Sequence, residues 1–342
     1  MKRFPELVAV ALLLARVAAA QAWTPRATSN TGELRGLSVV NDRVAWASGV
    51  KGTVMHTSDG GSTWTVDTIA GATQLDFRDV EALSARVAIA MSSGEAEKGQ
   101  ARMYRTEDAG HTWTLAYRTE MKGAFLDAIS MWDAKRGVVF GDPVDGKFFV
   151  LLTADGGRSW TRVNDGQLPP PLVGEAAFAA SGSCLAVMKG GHAWIGTGGG
   201  AQSRVLQTHD FGRHWSVVTT PVPAGTASAG LFAVEFRDAI HGVAVGGDYT
   251  KPTVAIDNVA ITSDGGRSWR LAKGALPGGY VSGASFARNS RMLVGVGLAG
   301  TYVSRDGGDS WSSVDSVGYN SVRFGQHAGF AVGPRGRVST WR

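Results

Sequence analysis

The chain has 342 residues, a formal net charge of +5, 44% hydrophobic residues and one cysteine, Cys184. This composition is typical of a globular protein, and no run of about five Lys and Arg residues indicates a nucleic-acid partner. A lone cysteine excludes an internal disulfide and a cysteine-based metal cluster, so we expect Cys184 to be a buried structural thiol.

Residues 1–22 are predicted to be a signal peptide. Lys2 and Arg3 give a positive start, Leu7 to Ala15 form a short apolar run, and small residues between Ala18 and Ala22 supply a cleavage site. The alternative is an uncleaved N-terminal anchor, although the run is short for spanning a bilayer. Cleavage would remove three basic residues and one acidic residue, leaving a charge of +3. We therefore expect a periplasmic or secreted domain of residues 23–342.

One eight-residue box, with the consensus Thr-x-Asp-Gly-Gly-x-Ser/Thr-Trp, occurs six times after residue 22. The copies span residues 57–64, 106–113, 153–160, 208–215, 262–269 and 304–311. The closing tryptophans are 42 to 55 residues apart. A repeat of roughly 40–50 residues built from short strands predicts a β-propeller, in which each repeat is one four-stranded blade.

Each box lies between two short apolar strands and is predicted to be a hairpin turn. The Asp side chain can accept hydrogen bonds from nearby backbone N–H groups, and the glycines permit positive φ. The Trp is expected to bury its ring between blades. These box residues are therefore assigned a structural role: Asp59, Trp64, Asp108, Trp113, Asp155, Trp160, Asp210, Trp215, Asp264, Trp269, Asp306 and Trp311.

Seven segments rich in small apolar residues are predicted to be the second strands of seven blades. They include residues 43–49 in the first blade, Cys184 to Val187 in the fourth and Gly329 to Gly333 in the seventh. The seventh blade lacks a fourth strand, and residues 23–28 resemble the strands that follow the boxes. We therefore expect an all-β, monomeric seven-bladed β-propeller, closed by its N-terminal strand and with about 46 residues per blade.

The boxes resemble the Asp boxes, or BNR repeats, of sialidases, xyloglucanase-type glycosidases and sortilin-like receptors. Together with the preceding apolar-Gly-x-x-Gly-x-apolar strands, they most resemble the photosystem II stability/assembly factor family. This resemblance covers residues 23–342 and is specific for the propeller. It implies a scaffold that binds a protein partner, without catalysis or a cofactor.

The alternative function is a sialidase-like glycoside hydrolase or a carbohydrate-binding lectin with an extracellular glycan partner. A sialidase site needs an arginine cluster and a tyrosine nucleophile. Arg35, Arg78 and Arg323 lie on first strands, but Arg323 is displaced from the register of the other two, and Tyr280 or Tyr319 would be the tyrosine. A two-carboxylate site could draw on Asp127, Asp142, Glu175, Glu235 or Asp248, but no sequence feature places two of them at the required spacing. The chain is therefore predicted not to be an enzyme.

Long loops in blades two to five mark the predicted contact surface, because loops carry function on a rigid scaffold. The candidate partner-binding residues are Arg35, Arg78, Asp127, Asp142, Glu175, Trp194, Asp248, Tyr249 and Tyr280. Arg35 and Arg78 would favour an anionic partner, or alternatively pair with Asp79, Glu81 or Asp127. The histidines have no metal-ligand spacing, and no helix follows the glycines at 196–200, so neither a metal site nor a phosphate loop is predicted.

Overall fold

The computed structural model describes residues 23–341, and the predicted signal peptide at residues 1–22 lies outside them. Seven antiparallel sheets of four strands each form a ring around a central channel. The predicted seven-bladed β-propeller is therefore confirmed. In the described range, no helix has the length and apolar character needed to cross a membrane.

The strands are numbered β1 to β28 in chain order, and each blade is counted from its innermost strand. Blade one contains β2 Leu34–Val39, β3 Ala45–Gly49, β4 Thr53–Thr57 and β5 Thr65–Thr68. Blade two contains β6 Phe77–Ala82, β7 Ala88–Ser92, β8 Arg102–Thr106 and β9 Thr114–Arg118. Blade three contains β10 Leu126–Met131, β11 Gly137–Val144, β12 Lys147–Thr153 and β13 Thr161–Arg162. Blades four and five contain β14 Leu185–Met188, β15 His192–Gly196, β16 Arg204–Thr208, β17 Ser216–Thr219; β18 Ala229–Phe236, β19 Gly242–Asp248, β20 Val259–Thr262, β21 Arg270–Leu271. Blade six contains β22 Gly283–Phe286, β23 Leu293–Gly297, β24 Gly300–Ser304, β25 Ser312–Asp315, and blade seven contains β26 Ser321–Phe324, β27 Gly329–Val332 and β28 Val338–Trp341, with β1 Thr24–Arg26 as its outermost strand.

The two ends of the described chain close the ring, as predicted. Strand β1 pairs with β28 in antiparallel register, with Thr24 opposite Thr340. Trp23 anchors this closure because its ring packs 5.0 Å from the Trp341 ring and 5.4 Å from the Tyr319 ring. Its indole N–H also donates to the hydroxyl of Thr301 in blade six (2.9 Å).

The boxes form the turns between third and fourth strands. In the first box, a carboxylate oxygen of Asp59 accepts a hydrogen bond from the Thr63 N–H at 2.9 Å, and the other accepts one from the Thr63 hydroxyl at 2.7 Å. Gly60 and Gly61 have φ of 77° and 81°, where a side chain would be strained. Asp108, Asp155, Asp264 and Asp306 accept the equivalent N–H and hydroxyl bonds in their boxes. In the fourth box, Asp210 accepts from the His214 N–H and bonds the His214 ring in place of a hydroxyl. The structural role predicted for the aspartates therefore agrees with these hydrogen bonds.

Each box tryptophan packs against the preceding blade. Trp64 meets Phe330 of blade seven edge-on at 6.3 Å, and Trp113 meets Trp46 of blade one at 6.1 Å. Trp160, Trp215, Trp269 and Trp311 likewise join hydrophobic clusters that include residues of the preceding blade. These rings therefore fill the spaces between blades, as the sequence predicts.

Blade four differs from the prediction. The segment from Cys184 to Val187 was expected to be a second strand, but β14 is the innermost strand of its sheet and the second strand is β15. The connection from β13 to β14 is long and enters the channel before the strand begins, so spacing along the chain misplaced the strand by one position. The thiol of Cys184 is buried, as expected.

Residues 177–183 of that connection, here called the channel segment, cross the centre of the ring. The Ser181 hydroxyl donates to the Ser282 carbonyl of blade six (2.6 Å), and the Val234 N–H of blade five donates to the Ser183 carbonyl (2.9 Å). Arg323 of blade seven donates to the Ser183 hydroxyl at 2.8 Å. The channel is therefore occupied by the protein itself.

Candidate binding cavity at the channel mouth

The antiparallel strand order places two sets of loops on one face of the ring, here called the upper face. These are the loops between second and third strands and the connections from one blade to the next, whereas the box turns lie on the opposite face. A cavity of about 480 Å³ opens on the upper face at the mouth of the channel. Of the nine candidate residues, it brings together Arg35, Arg78, Asp127, Asp142, Tyr249 and Tyr280.

Irregularities in the innermost strands aim several side chains into this cavity. In blades one, two, three and five, the register of the first strand skips one residue, namely Arg35, Arg78, Asp127 and Phe232. A β-bulge of this kind leaves its extra residue out of the ladder and redirects its side chain. Ser282 and Asn320 occupy the corresponding position just before the innermost strands of blades six and seven, and they also line the cavity. The same position in six of the seven blades thus contributes a residue to the lining of the cavity.

The basic side of the cavity is already partly neutralised. Arg35 binds the Glu33 carboxylate at 3.0 Å and Arg78 binds the Asp76 carboxylate at 2.8 Å, each two residues earlier in the chain. Asn320 also donates to Glu33 (3.0 Å) and holds this carboxylate in place. The arginines do pair, but with Glu33 and Asp76 instead of Asp79, Glu81 or Asp127.

The acidic side consists of Asp127 and Asp142 on neighbouring strands of blade three. Asp127 is 1% exposed, and no donor in the described residues makes a well-formed hydrogen bond to either of its carboxylate oxygens. Burial, with the nearby charge of Asp142, raises the pKa of Asp127 well above its usual range. Burial raises the pKa of Asp142 to about 6, although the Ala177 N–H donates to it at 3.0 Å. Burial therefore favours the protonated form of both carboxyls.

An aromatic wall formed by Phe178, Phe232, Tyr249 and Tyr280 completes the cavity. The rings of Phe178 and Phe232 stack at 3.9 Å, and Tyr249 meets them edge-on at 6.5 and 6.2 Å. Tyr280 is buried, but Tyr249 is 49% exposed at the rim. Tyr249 is therefore half-exposed at the cavity, where a partner could reach it.

Three candidate residues lie outside the cavity lining. Trp194 is fully buried between blades four and five, where its indole N–H donates to the Gly265 carbonyl (2.9 Å), so it is not the surface anchor that was expected. Glu175 is buried and paired with Arg204, which makes it structural. Asp248 accepts from the Thr250 N–H and hydroxyl (3.0 and 2.6 Å), so it fixes its own turn.

A second group of acids lies deeper in the channel. The Ile129 N–H donates to Asp79 (2.9 Å), the Met131 N–H donates to Glu81 (3.1 Å), and Glu235 pairs with Arg323 at 3.3 Å. Burial raises the pKa of Asp79 and of Glu235 to about 7 each and that of Glu81 to about 8. Arg323 belongs to this deeper group and does not join Arg35 and Arg78 at the cavity. Among residues 23–341, no arginine triad is therefore assembled at the cavity.

These raised pKa values predict that stability falls as the pH rises. The carboxyls of an unfolded chain have pKa values of about 4, so between about pH 5 and 8 the folded protein keeps protons that the unfolded chain has released. We expect the midpoint of thermal unfolding to be highest at about pH 5 and to fall by several degrees towards about pH 8. The substitution Asp79→Asn should reduce this fall, as measured by calorimetry across the range.

At lower pH, we expect stability to rise with pH instead of falling. Hydrogen bonds from the backbone and hydroxyl of Thr63 lower the pKa of Asp59 to about 2, so the stability that this group adds is lost as pH falls from about 4 towards 2. A profile that stays flat from about pH 5 to 8 in the wild type would contradict the burial of the channel carboxyls.

No protein-family model matches this chain, and no curated protein matches it significantly in sequence. Solved structures match it over most of its length. It is similar to YCF48 bound to D1 peptide, with a TM-score of 0.66 and 17% identity, over 93% of this chain and 96% of that one. It is also similar to YCF48 from Cyanidioschyzon merolae, with a TM-score of 0.67 and 17% identity, over 94% and 99% of the two chains.

Structures of proteins other than YCF48 also match this fold. The structure of U3-55K matches with a TM-score of 0.63 and 12% identity, over 94% of this chain and 98% of that one. At identities this low, the shared property is the arrangement of blades. The comparisons therefore show that this chain has the seven-bladed β-propeller fold, with YCF48 among its structural neighbours.

Proposed function

We propose that this protein is an exported, monomeric, non-catalytic scaffold that binds an extended segment of another protein on its upper face. The observation that carries the proposal is the distribution of exposed apolar side chains. Seven of the nine large apolar side chains that are exposed in the described residues lie in upper-face loops: Met121, Val173, Tyr249, Val254, Ile256, Leu298 and Val317. Apolar side chains gathered on one face of a soluble protein are typical of an interaction surface.

The cavity suits a peptide segment. Its volume of about 480 Å³ fits one or two side chains, and its lining combines aromatic rings with a few charged groups. A structural neighbour, YCF48, has been solved with a D1 peptide. The shared fold supports the proposal that the present chain also uses its propeller to hold a peptide.

The arrangement of the arginines supports binding over sialidase-like hydrolysis. Arg35 and Arg78 are paired with Glu33 and Asp76, and Arg323 pairs with Glu235 deeper in the channel, so the described residues gather no arginine triad at the cavity. Burial also raises the pKa of Tyr280, which disfavours a phenolate nucleophile. We therefore expect no turnover of chromogenic glycosides, and any turnover that Asp127→Asn abolishes would instead support the hydrolase alternative.

Peptide selection with a matched pair of variants tests the proposal. Random peptides displayed on phage are selected on the purified protein, and the affinities of the enriched peptides are then measured. We expect Tyr249→Ser with Leu298→Ser, both at the cavity rim, to weaken binding at least about tenfold, equivalent to about 1.4 kcal/mol. The control is Leu115→Ser with Ile240→Ser, which removes equally exposed apolar side chains away from the upper face and should leave affinity unchanged.

Two results would overturn the proposal. One is the absence of any enriched peptide on the folded protein. The other is an equal loss of affinity in the rim variant and the control variant, which would place binding elsewhere or make it non-specific. Circular dichroism of both variants confirms that each remains folded.

A further inference from the structure

We propose that the Asp127–Asp142 pair receives a cationic side chain, lysine or arginine, from the bound segment. This inference rests on the proposed function and names the chemistry of the same cavity. It differs from the expectation based on the sequence, in which Arg35 and Arg78 select an anionic partner.

The first observation is the unfilled bonding capacity of Asp127. Its side chain lines the cavity and is almost completely buried, yet neither carboxylate oxygen accepts a well-formed hydrogen bond from a described donor. A buried carboxyl without a donor is unfavourable unless a partner or a proton compensates it. An ammonium or guanidinium group of a ligand would supply the missing donors together with the opposite charge.

The second observation is the balance of charge around the cavity. The arginine charges are matched locally, because Arg35 is paired with Glu33 and Arg78 with Asp76. The positive charge of Arg78 partly offsets the rise in the pKa of Asp127. The Arg78 Nε atom, however, donates to the Asp76 carboxylate at 2.8 Å. The Asp127–Asp142 pair is therefore the acidic group of the cavity that no basic side chain in the described residues neutralises, and any charge it carries is negative.

The third observation is the aromatic wall of the same cavity, which the Asp127–Asp142 pair also lines. Phe178 belongs to this wall and follows Ala177, whose N–H donates to Asp142, in the chain. Phe178 also stacks on Phe232 and contacts Tyr249. Aromatic faces pack against the aliphatic stem of lysine or arginine and attract its charged end. A carboxyl pair next to aromatic rings therefore fits a long basic side chain.

The test uses peptides that differ at one position. A peptide enriched on the wild-type protein is synthesised with Lys, Arg, norleucine or Glu at each position in turn, and its affinity is measured by fluorescence anisotropy. At one position we expect Lys or Arg to bind about tenfold more tightly than norleucine, and Glu to bind more weakly than norleucine. Norleucine is the critical comparison because it retains the aliphatic stem and removes the charge.

Two variants locate this preference in the cavity. Asp127→Asn with Asp142→Asn keeps the shape of both side chains, including the oxygen that accepts from Ala177, and should abolish the preference for Lys over norleucine. Arg35→Gln with Arg78→Gln should preserve the preference or increase it. Thermal unfolding checks that each variant is folded, and we expect the asparagine variant to be at least as stable as the wild type because it removes a buried carboxyl pair.

The possible failures can be distinguished from one another. Peptides that bind without a preference for Lys or Arg, or with a preference for Glu that the glutamine variant abolishes, would overturn the cationic assignment but leave the peptide-binding proposal intact. If no peptide binds at all, the proposed function itself fails.

Discussion

Replacement of Trp23 by alanine should lower the free energy of unfolding by about 3–5 kcal/mol, the usual cost of removing a buried tryptophan. Trp23 is 8% exposed and contacts Trp341, Tyr319 and Thr301, so its ring joins the closing strand to blades six and seven. Denaturant unfolding measures the loss. Hydrogen exchange should show faster exchange of the β28 amides, since β28 becomes the edge of the sheet when β1 detaches.

The matched control for this prediction is Thr24→Ala. Thr24 belongs to the same strand but has an exposed side chain, so its replacement should change stability by no more than about 0.5 kcal/mol. Equal effects of the two substitutions would mean that the Trp23 ring does not hold the closure.

Replacement of Arg204 by methionine should lower the free energy of unfolding by about 3–5 kcal/mol, because it leaves a buried carboxylate without its cationic partner. The side chain of Glu175 has no exposed surface, and Arg204 reaches it through Nε at 2.9 Å and through a second guanidinium nitrogen. Without Arg204, the remaining donors to Glu175 in the described residues are the Thr197 hydroxyl and the Leu172 N–H. Equilibrium unfolding in urea measures the change.

The second substitution of this pair separates a lost partner from lost packing. Adding Glu175→Met to Arg204→Met should recover much of the stability, since two apolar side chains can replace a buried ion pair. Peptide affinity should remain unchanged in the double variant because neither residue lines the cavity. A double variant that is less stable than Arg204→Met would contradict this account.

The fold was predictable from the sequence because its determinants are local and repeated. An aspartate, two positions that accept positive φ and a tryptophan define each turn within eight residues, and a six-fold recurrence at similar spacing implies blades. Even the departures keep this geometry, since Ala109 and Phe211 stand at glycine positions with φ of 64° and 62°. The closure by residues 23–28 followed from counting strands.

The site was less predictable because it depends on contacts between blades. The equivalence of Arg35 and Arg78 was visible in the sequence. The bulges that direct Asp127 and Phe232 into the same cavity, however, are features of strand register. Trp194 was expected in a loop because the long connection from β13 to β14 shifted the predicted strands of blade four by one position. The proximity of Asp127 to Asp142 depends on the pairing of β10 with β11, which residue spacing alone does not reveal.

The channel segment also changes how the blades depend on one another. In a plain repeat protein, each unit touches only its neighbours, and stability is a sum of repeats and adjacent interfaces. Here Ser181 and Ser183 bond directly to blades five, six and seven, and Gly182 lies against Asp79 of blade two. The segment acts as a hub that links blades across the ring, so loosening any one of them weakens contacts on the opposite side. Unfolding should therefore be one concerted transition, without the stepwise loss of blades from an end.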